Sequence, residues 1–226
     1  MDSCKIDIIT GHFGSGKTEF AINYSMHTAK AGKKVLLIDL DIVNPYFKTA
    51  EVKDVLEAMG VEVIVPNFAG TGVDVPSLPS NIYRVFDDPS YDKVIFDVGG
   101  DDLGAMALGQ YKTRIQNIPY DMFYVINTKR PLSSTQDQII DMLHSIESSS
   151  RLKVSKLINN TNLSYETNVN DIMEGQRLIE RISKKMDIPI GYIAGTEDVL
   201  SRLPVNMKDR AFELKLYMQP IWDQDL

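Results

Sequence analysis

The sequence predicts an α/β protein with a doubly wound, mostly parallel sheet and helices on both faces. Three observations predict it. Short apolar runs rich in β-branched residues alternate with longer amphipathic stretches. Most of these runs are apolar throughout rather than at every second residue. The first is joined to a helical pattern by "GHFGSGKT", residues 11–18. Continuous apolar strands belong to parallel sheets covered on both faces. Their alternation with helices implies right-handed crossovers.

Taken in order, the strands are "KIDIIT" (5–10), "KKVLLID" (33–39), "VEVIV" (61–65), "DKVIFDV" (92–98), "DMFYVIN" (121–127), "VSKLINN" (154–160) and "IPIGYIA" (188–194). The spacing predicts helices over 17–31, 133–149 and 168–185, with Gly32 placed where a C-cap glycine belongs. "SIESSSR" (145–151) reads as a helix end, not a linker. The Gly- and Pro-rich stretch 66–80 is long enough to be a functional loop. No repeat or domain boundary is visible, so one nucleotide-binding domain over 1–226 is expected.

Composition narrows the function. The chain has 226 residues, 43% of them hydrophobic, and 24 basic against 31 acidic residues give a net charge of −7. That balance argues against direct nucleic-acid binding or an anionic membrane surface. The single cysteine, Cys4, excludes a disulfide framework or a paired-cysteine metal site. "MDSCKIDIIT" shows no signal-peptide pattern, and no apolar run approaches the roughly 20 residues that span a bilayer. A cytoplasmic protein is expected.

Residues 11–18 satisfy G-x-x-x-x-G-K-[ST] between a strand and a helix. Gly11, His12, Phe13, Gly14, Ser15 and Gly16 would curl their N–H groups around phosphate oxygens at the positive end of the helix. Lys17 would neutralise β/γ-phosphate charge, Thr18 would offer its hydroxyl to Mg²⁺, and Glu19 follows in the first helical turn. Asp97, in "VIFDVGG", stands at a strand end suited to Mg²⁺, and D-x-x-G places Gly100 where an N–H could sense a γ-phosphate. Asp39 and Asp41, two residues apart in an extended strand, point the same way.

Together "GHFGSGKT", "VLLIDLD", "VIFDVGG", "VINTKRPLSSTQD", "KLINNTN" and "IPIGYIAGTED" resemble the MinD/ParA group of P-loop ATPases, from about Lys5 to Leu203. The resemblance implies Mg·ATP binding and an ATP-dependent switch, often of two subunits face to face. It implies that Asp41 orients the attacking water, that Asp39 and Asp97 serve the Mg²⁺ shell with Thr18, and that Lys17 is catalytic. It implies that Asn159, with Asn160 beside it, reads adenine. The loop beginning at Ala194 and Gly195 would cover the base. The chain departs from the group at His12, where a signature lysine normally reaches the partner's phosphates, and at Phe13, where glycine is usual. Lys48 and Arg130 are other cations available in its place. "NTKRP" has Pro131 where a guanine reader carries its carboxylate, which favours ATP.

The functions in view are a slow ATPase switch acting on an unidentified protein partner, possible as a nucleotide-dependent homodimer, and an ATP-dependent ligase of the dethiobiotin-synthetase or cobyrinate-synthetase type. A nucleotide-binding module with little turnover is the third. The tail "DRAFELKLYMQPIWDQDL", with Phe212, Leu216 and Trp222, finishes acidic, so packing on the core is expected of it rather than a membrane.

Overall fold

The structure is a computed structural model, and it describes residues 5–41, 52–65, 82–100 and 102–217. In chain order its elements are β1 (Ile6–Thr10), α1 (Lys17–Lys30), β2 (Val35–Leu40), α2 (Lys53–Ala58), β3 (Val61–Ile64), α3 (Ile82–Val85), β4 (Lys93–Val98), α4 (Asp102–Gly109) and α5 (Lys112–Ile115). There follow β5 (Tyr120–Ile126), a 3-10 turn (Pro131–Ser133), α6 (Gln136–Ser150), β6 (Lys156–Asn159), α7 (Val169–Met186), β7 (Ile190–Gly195), α8 (Glu197–Leu200), α9 (Val205–Lys208) and β8 (Ala211–Glu213).

The strands form one eight-stranded sheet in the order β3-β2-β4-β1-β5-β6-β7-β8, and every pairing is parallel. Strands 2 to 4 lie on one side of β1 and strands 5 to 8 on the other. The turn after β1 therefore opens at the point where the winding reverses, the usual ligand crevice of such sheets.

Side-chain alternation sorts each strand between two cores. Ile8, Leu36, Ile38, Phe96 and Tyr124 pack with α3 to α7 on one face. Ile9, Leu37, Ile95 and Phe123 pack with Phe20 and Tyr24 of α1 and Leu56 of α2 on the other. Each such buried side chain contributes roughly 1.5–3 kcal/mol. At the strand starts, away from the crevice, Lys93 Nζ lies 2.8 Å from Asp7 Oδ2, which also accepts a 2.9 Å bond from the Tyr24 hydroxyl. This buried trio ties β1, β4 and α1 together.

The long helices α6 and α7 begin with capping boxes, Thr135 with Gln138 and Asn168 with Asp171. Both end on residues in the left-handed region, Arg151 and Asp187. The helix expected from 133 starts later, because Pro131–Ser133 forms a 3-10 turn before the Thr135 cap.

Residues 211–217 of the tail pack on the core and add β8, which has only three residues. Phe212 and Leu214 are buried, while Leu216 is exposed and Trp222 lies outside the described residues. Asn23 of α1 exchanges bonds with the Lys215 backbone at 2.8 and 2.9 Å. Among the described residues no helix is long and apolar enough to cross a membrane.

Candidate phosphate-binding site

Five successive carbonyls of the loop after β1 each receive a donor from the protein. His12 O accepts from Ser15 N at 3.0 Å and Gly16 O from Phe20 N at 3.0 Å. Phe13 O accepts from His12 Nδ1 at 2.8 Å, Gly14 O from Arg130 Nε at 3.1 Å, and Ser15 O from Asn160 Nδ2 at 2.7 Å. Because a trans peptide holds its N–H opposite its carbonyl, tying the carbonyls to the protein turns the N–H groups of 13, 14, 16 and 17 the other way. Those N–H groups are thereby left to other partners, as an anion-binding loop requires. Gly14 and Gly16 make the curl possible with φ of 76° and 81°.

The start of α1 points the same way. Its N-cap is Gly16 with no side-chain cap bond, whereas α6 and α7 satisfy their first turns with capping boxes. A helix N-terminus without a side-chain cap offers N–H groups and a positive dipole end to an anion.

Three carboxylates reach the crevice from strand ends. Asp39 and Asp97 are register partners on adjacent strands, and both alternate onto the α1 face. The Asp39 Oδ1 atom accepts the Asp41 N–H at 2.9 Å, and Asp41 Oδ2 lies 3.3 Å from Lys17 Nζ. Asp97 is 1% exposed, and neither of its oxygens has a hydrogen-bond partner within bonding distance. Burial pushes its pKa up to about 7, against the pull of the Lys17 ammonium and with a further push from Asp39. The nearby Thr18 hydroxyl lowers it somewhat. Ser15 Oγ, also buried, lacks a partner too. Buried polar atoms without a partner are uncommon in folded proteins, and Ser15 Oγ and both Asp97 oxygens are among those of this structure. Among the described residues no three His, Cys, Asp or Glu side chains are grouped as a metal site.

Gly100 lies against the loop, where a Cβ would collide with Gly11 O and Phe13 N. The D-x-x-G glycine is thus beside the phosphate loop. Phe13 is 66% exposed at its tip.

The neighbouring asparagines divide. Asn159 is fully buried, with Nδ2 donating to Ile172 O at 3.1 Å and Gln176 Oε1 at 3.0 Å, and Oδ1 accepting from Thr161 N at 3.1 Å. Its amide braces α7 against β6 and is not presented to the crevice. Asn160 faces the loop, close enough that a Cβ on Gly16 would strike its Nδ2. Ala194 is buried in the α1-side core, and Gly195 O accepts the Leu214 N–H at 2.7 Å. Both residues serve the junction with β8. Glu19 Oε1 accepts the Tyr217 N–H at 2.9 Å, so it anchors the tail. Lys48 and the stretch 66–80 lie outside the described residues.

Two contacts carry no signal in the sequence. Lys129 Nζ is held by Asp171 and Glu174, each at 2.9 Å, which raises its pKa. Arg130, one residue on, reaches the loop instead.

No family model matches the chain, and no curated protein matches it. Solved structures do. FtsY of Thermotoga maritima is 17% identical with a TM-score of 0.58, the match covering 87% of this chain and 66% of that one. FtsY of Elizabethkingia anophelis, solved in complex with GDP, is 19% identical with a TM-score of 0.55, covering 96% and 61%. A nucleotide-binding protein of Archaeoglobus fulgidus, solved in complex with ADP, is 17% identical with a TM-score of 0.52, covering 88% and 84%. The chain spans less than two thirds of the FtsY chains. At these identities the likeness establishes the fold: the chain has the α/β architecture of P-loop NTPases.

Proposed function

We propose that the protein binds Mg·ATP in the loop 11–18 and works as a slow ATPase, a nucleotide-dependent switch for a protein partner, in the manner of the MinD/ParA group. The observation that carries the reading is the set of five engaged carbonyls from His12 to Gly16, which leaves the N–H groups of 13, 14, 16 and 17 to other partners. The Lys17 ammonium adds the charge that a β/γ-phosphate needs.

Thr18, Asp39 and Asp97 fit Mg²⁺. A hydroxyl and one or two carboxylates are the sparse protein contribution this ion uses, the rest of its shell being water and phosphate oxygen. The partnerless carboxylate of Asp97 is a group that a cation would satisfy. When bound, Mg²⁺ would neutralise charge on the phosphate tail. Lys17 would then exchange Asp41 for phosphate, and the Asp41 carboxylate would orient the attacking water. Gly100, against the loop, would report an added γ-phosphate to α4 through the backbone that joins them.

Pro131 at the place of a guanine-reading carboxylate supports ATP over GTP. Calorimetry with each nucleotide and Mg²⁺ tests this. ATP binding with little GTP binding is the expected result. Binding of neither would overturn the nucleotide reading, and preference for GTP would overturn the adenine reading. Phosphate release then measures turnover.

A further inference from the structure

The loop 11–18 carries no lysine besides Lys17, and His12 spends its Nδ1 on the Phe13 carbonyl. Around the crevice stand three carboxylates, Asp39, Asp41 and Asp97, against Lys17, whose ammonium is already shared with Asp41. A phosphate tail brings further negative charge. Another cation is needed close to the loop.

Arg130 occupies that place. It follows β5, on the opposite side of β1 from the carboxylates, and its Nε donates to Gly14 O at 3.1 Å. Its side chain lies across the loop: a Cβ on Gly14 would meet Arg130 Nε at 3.5 Å, Cδ at 3.7 Å and Cζ at 3.9 Å. Gly14 itself has φ of 76°, so this is where the loop turns. A guanidinium carries five N–H donors, and Nε uses one of them. Among the described residues no carboxylate pairs with Arg130, whereas Lys129 is neutralised by Asp171 and Glu174. Two adjacent cations thus have separate fates, one spent on α7 and one carried to the phosphate loop.

We infer that Arg130 is a phosphate-binding residue of this site, supplying from within the same chain the second positive charge that the loop's own sequence lacks. Its Nε fixes the guanidinium on the loop, and the remaining N–H groups are left to contact the terminal phosphate. The inference rests on the nucleotide reading but not on the identity of the base. It needs no second subunit.

The test compares the parent with Arg130→Gln and Arg130→Lys, titrated with ATP, GTP and ADP in the presence of Mg²⁺. Gln keeps an amide donor for Gly14 O but removes the charge, and Lys restores the charge without the fork. Losing one charge-assisted bond should weaken the preferred triphosphate about tenfold in Arg130→Gln. ADP binding and the melting temperature of the ligand-free protein should change little, and Arg130→Lys should recover most of the loss. Unchanged triphosphate affinity in Arg130→Gln would overturn the inference. So would an equal loss of triphosphate and ADP with a lowered melting temperature, because that pattern belongs to a structural brace. A parent that binds none of the three nucleotides would overturn the nucleotide reading itself and the role of Arg130 with it.

Discussion

Lys17 Nζ lies 3.3 Å from Asp41 Oδ2, so the loop's lysine is paired with the carboxylate proposed to direct water. Both groups are largely buried, at 7% and 14% side-chain exposure. In the proposed complex, phosphate would compete with Asp41 for the ammonium. Lys17→Ala removes the charge and leaves the phosphate tail facing three carboxylates, so ATP binding is expected to fall below detection by calorimetry. Asp41→Asn acts oppositely on binding. It frees Lys17 at nearly constant shape, so ATP affinity should hold or rise while phosphate release slows by about a hundredfold or more, within the range for a positioned acid–base group. Parent-rate turnover in Asp41→Asn would move the water-orienting role elsewhere.

Asp97 gives the ligand-free protein a pH signature. Its pKa is raised to about 7, chiefly by burial, whereas an unfolded aspartate titrates near 3.9. Between those values the folded state holds a proton that the unfolded state has lost, so stability falls as pH rises through the window. The contribution is complete below about pH 4 and gone above about pH 7. Asp97→Asn removes the titration. In Mg²⁺-free, nucleotide-free protein the variant should be more stable than the parent at pH 8 by roughly 2–4 kcal/mol, at about 1.4 kcal/mol per pKa unit. That advantage should shrink toward pH 5. Parallel urea curves at the two pH values for parent and variant would contradict the assignment.

The strands were readable because two cores demand apolar residues on both faces, as in "VLLI" and "KVIF". The turn between β1 and α1 was readable because its left-handed glycines and the helix start that follows stand at fixed spacing. What escaped depends on register and on distance in sequence. Asn159 and Asn160 are adjacent, yet alternation sends one amide to α7 and the other to the loop, and β6 pairs with β7 through a shift at Leu157/Ile158. Arg130 reaches a carbonyl 116 residues away in sequence, and Lys129 pairs with acids on α7. No local pattern encodes either choice. β8 is three residues long, below the length at which periodicity identifies a strand.

The division between the asparagines is testable. Asn159→Ala would leave the Thr161 N–H, the Gln176 Oε1 and the Ile172 carbonyl without this partner in a closed interior. A loss of about 1–3 kcal/mol is expected by urea denaturation, with the ratio of ATP to GTP affinity unaltered. Asn160→Ala frees the Ser15 carbonyl and should weaken both nucleotides through the loop. A changed ATP-to-GTP ratio in Asn159→Ala would restore Asn159 as a base reader.

His12 holds the Phe13 carbonyl at 2.8 Å, which makes the imidazole a brace of the loop. His12→Ala releases that carbonyl. Because the bond is exposed, its loss should weaken ATP binding only about two- to fivefold, consistent with roughly 0.5–1 kcal/mol for such a bond. His12→Lys puts a permanent cation on the loop beside Lys17, where the imidazole carries none in its neutral form. If two copies close face to face over the nucleotides, that cation lies at the junction and ATP should drive more protein into dimers, or hydrolysis should accelerate. The comparison belongs in an Asp41→Asn background, where ATP persists long enough for sedimentation velocity. An unchanged monomer in both the His12 parent and the His12→Lys variant would remove the face-to-face dimer and leave a switch that works as a single chain, with Arg130 as its second phosphate cation.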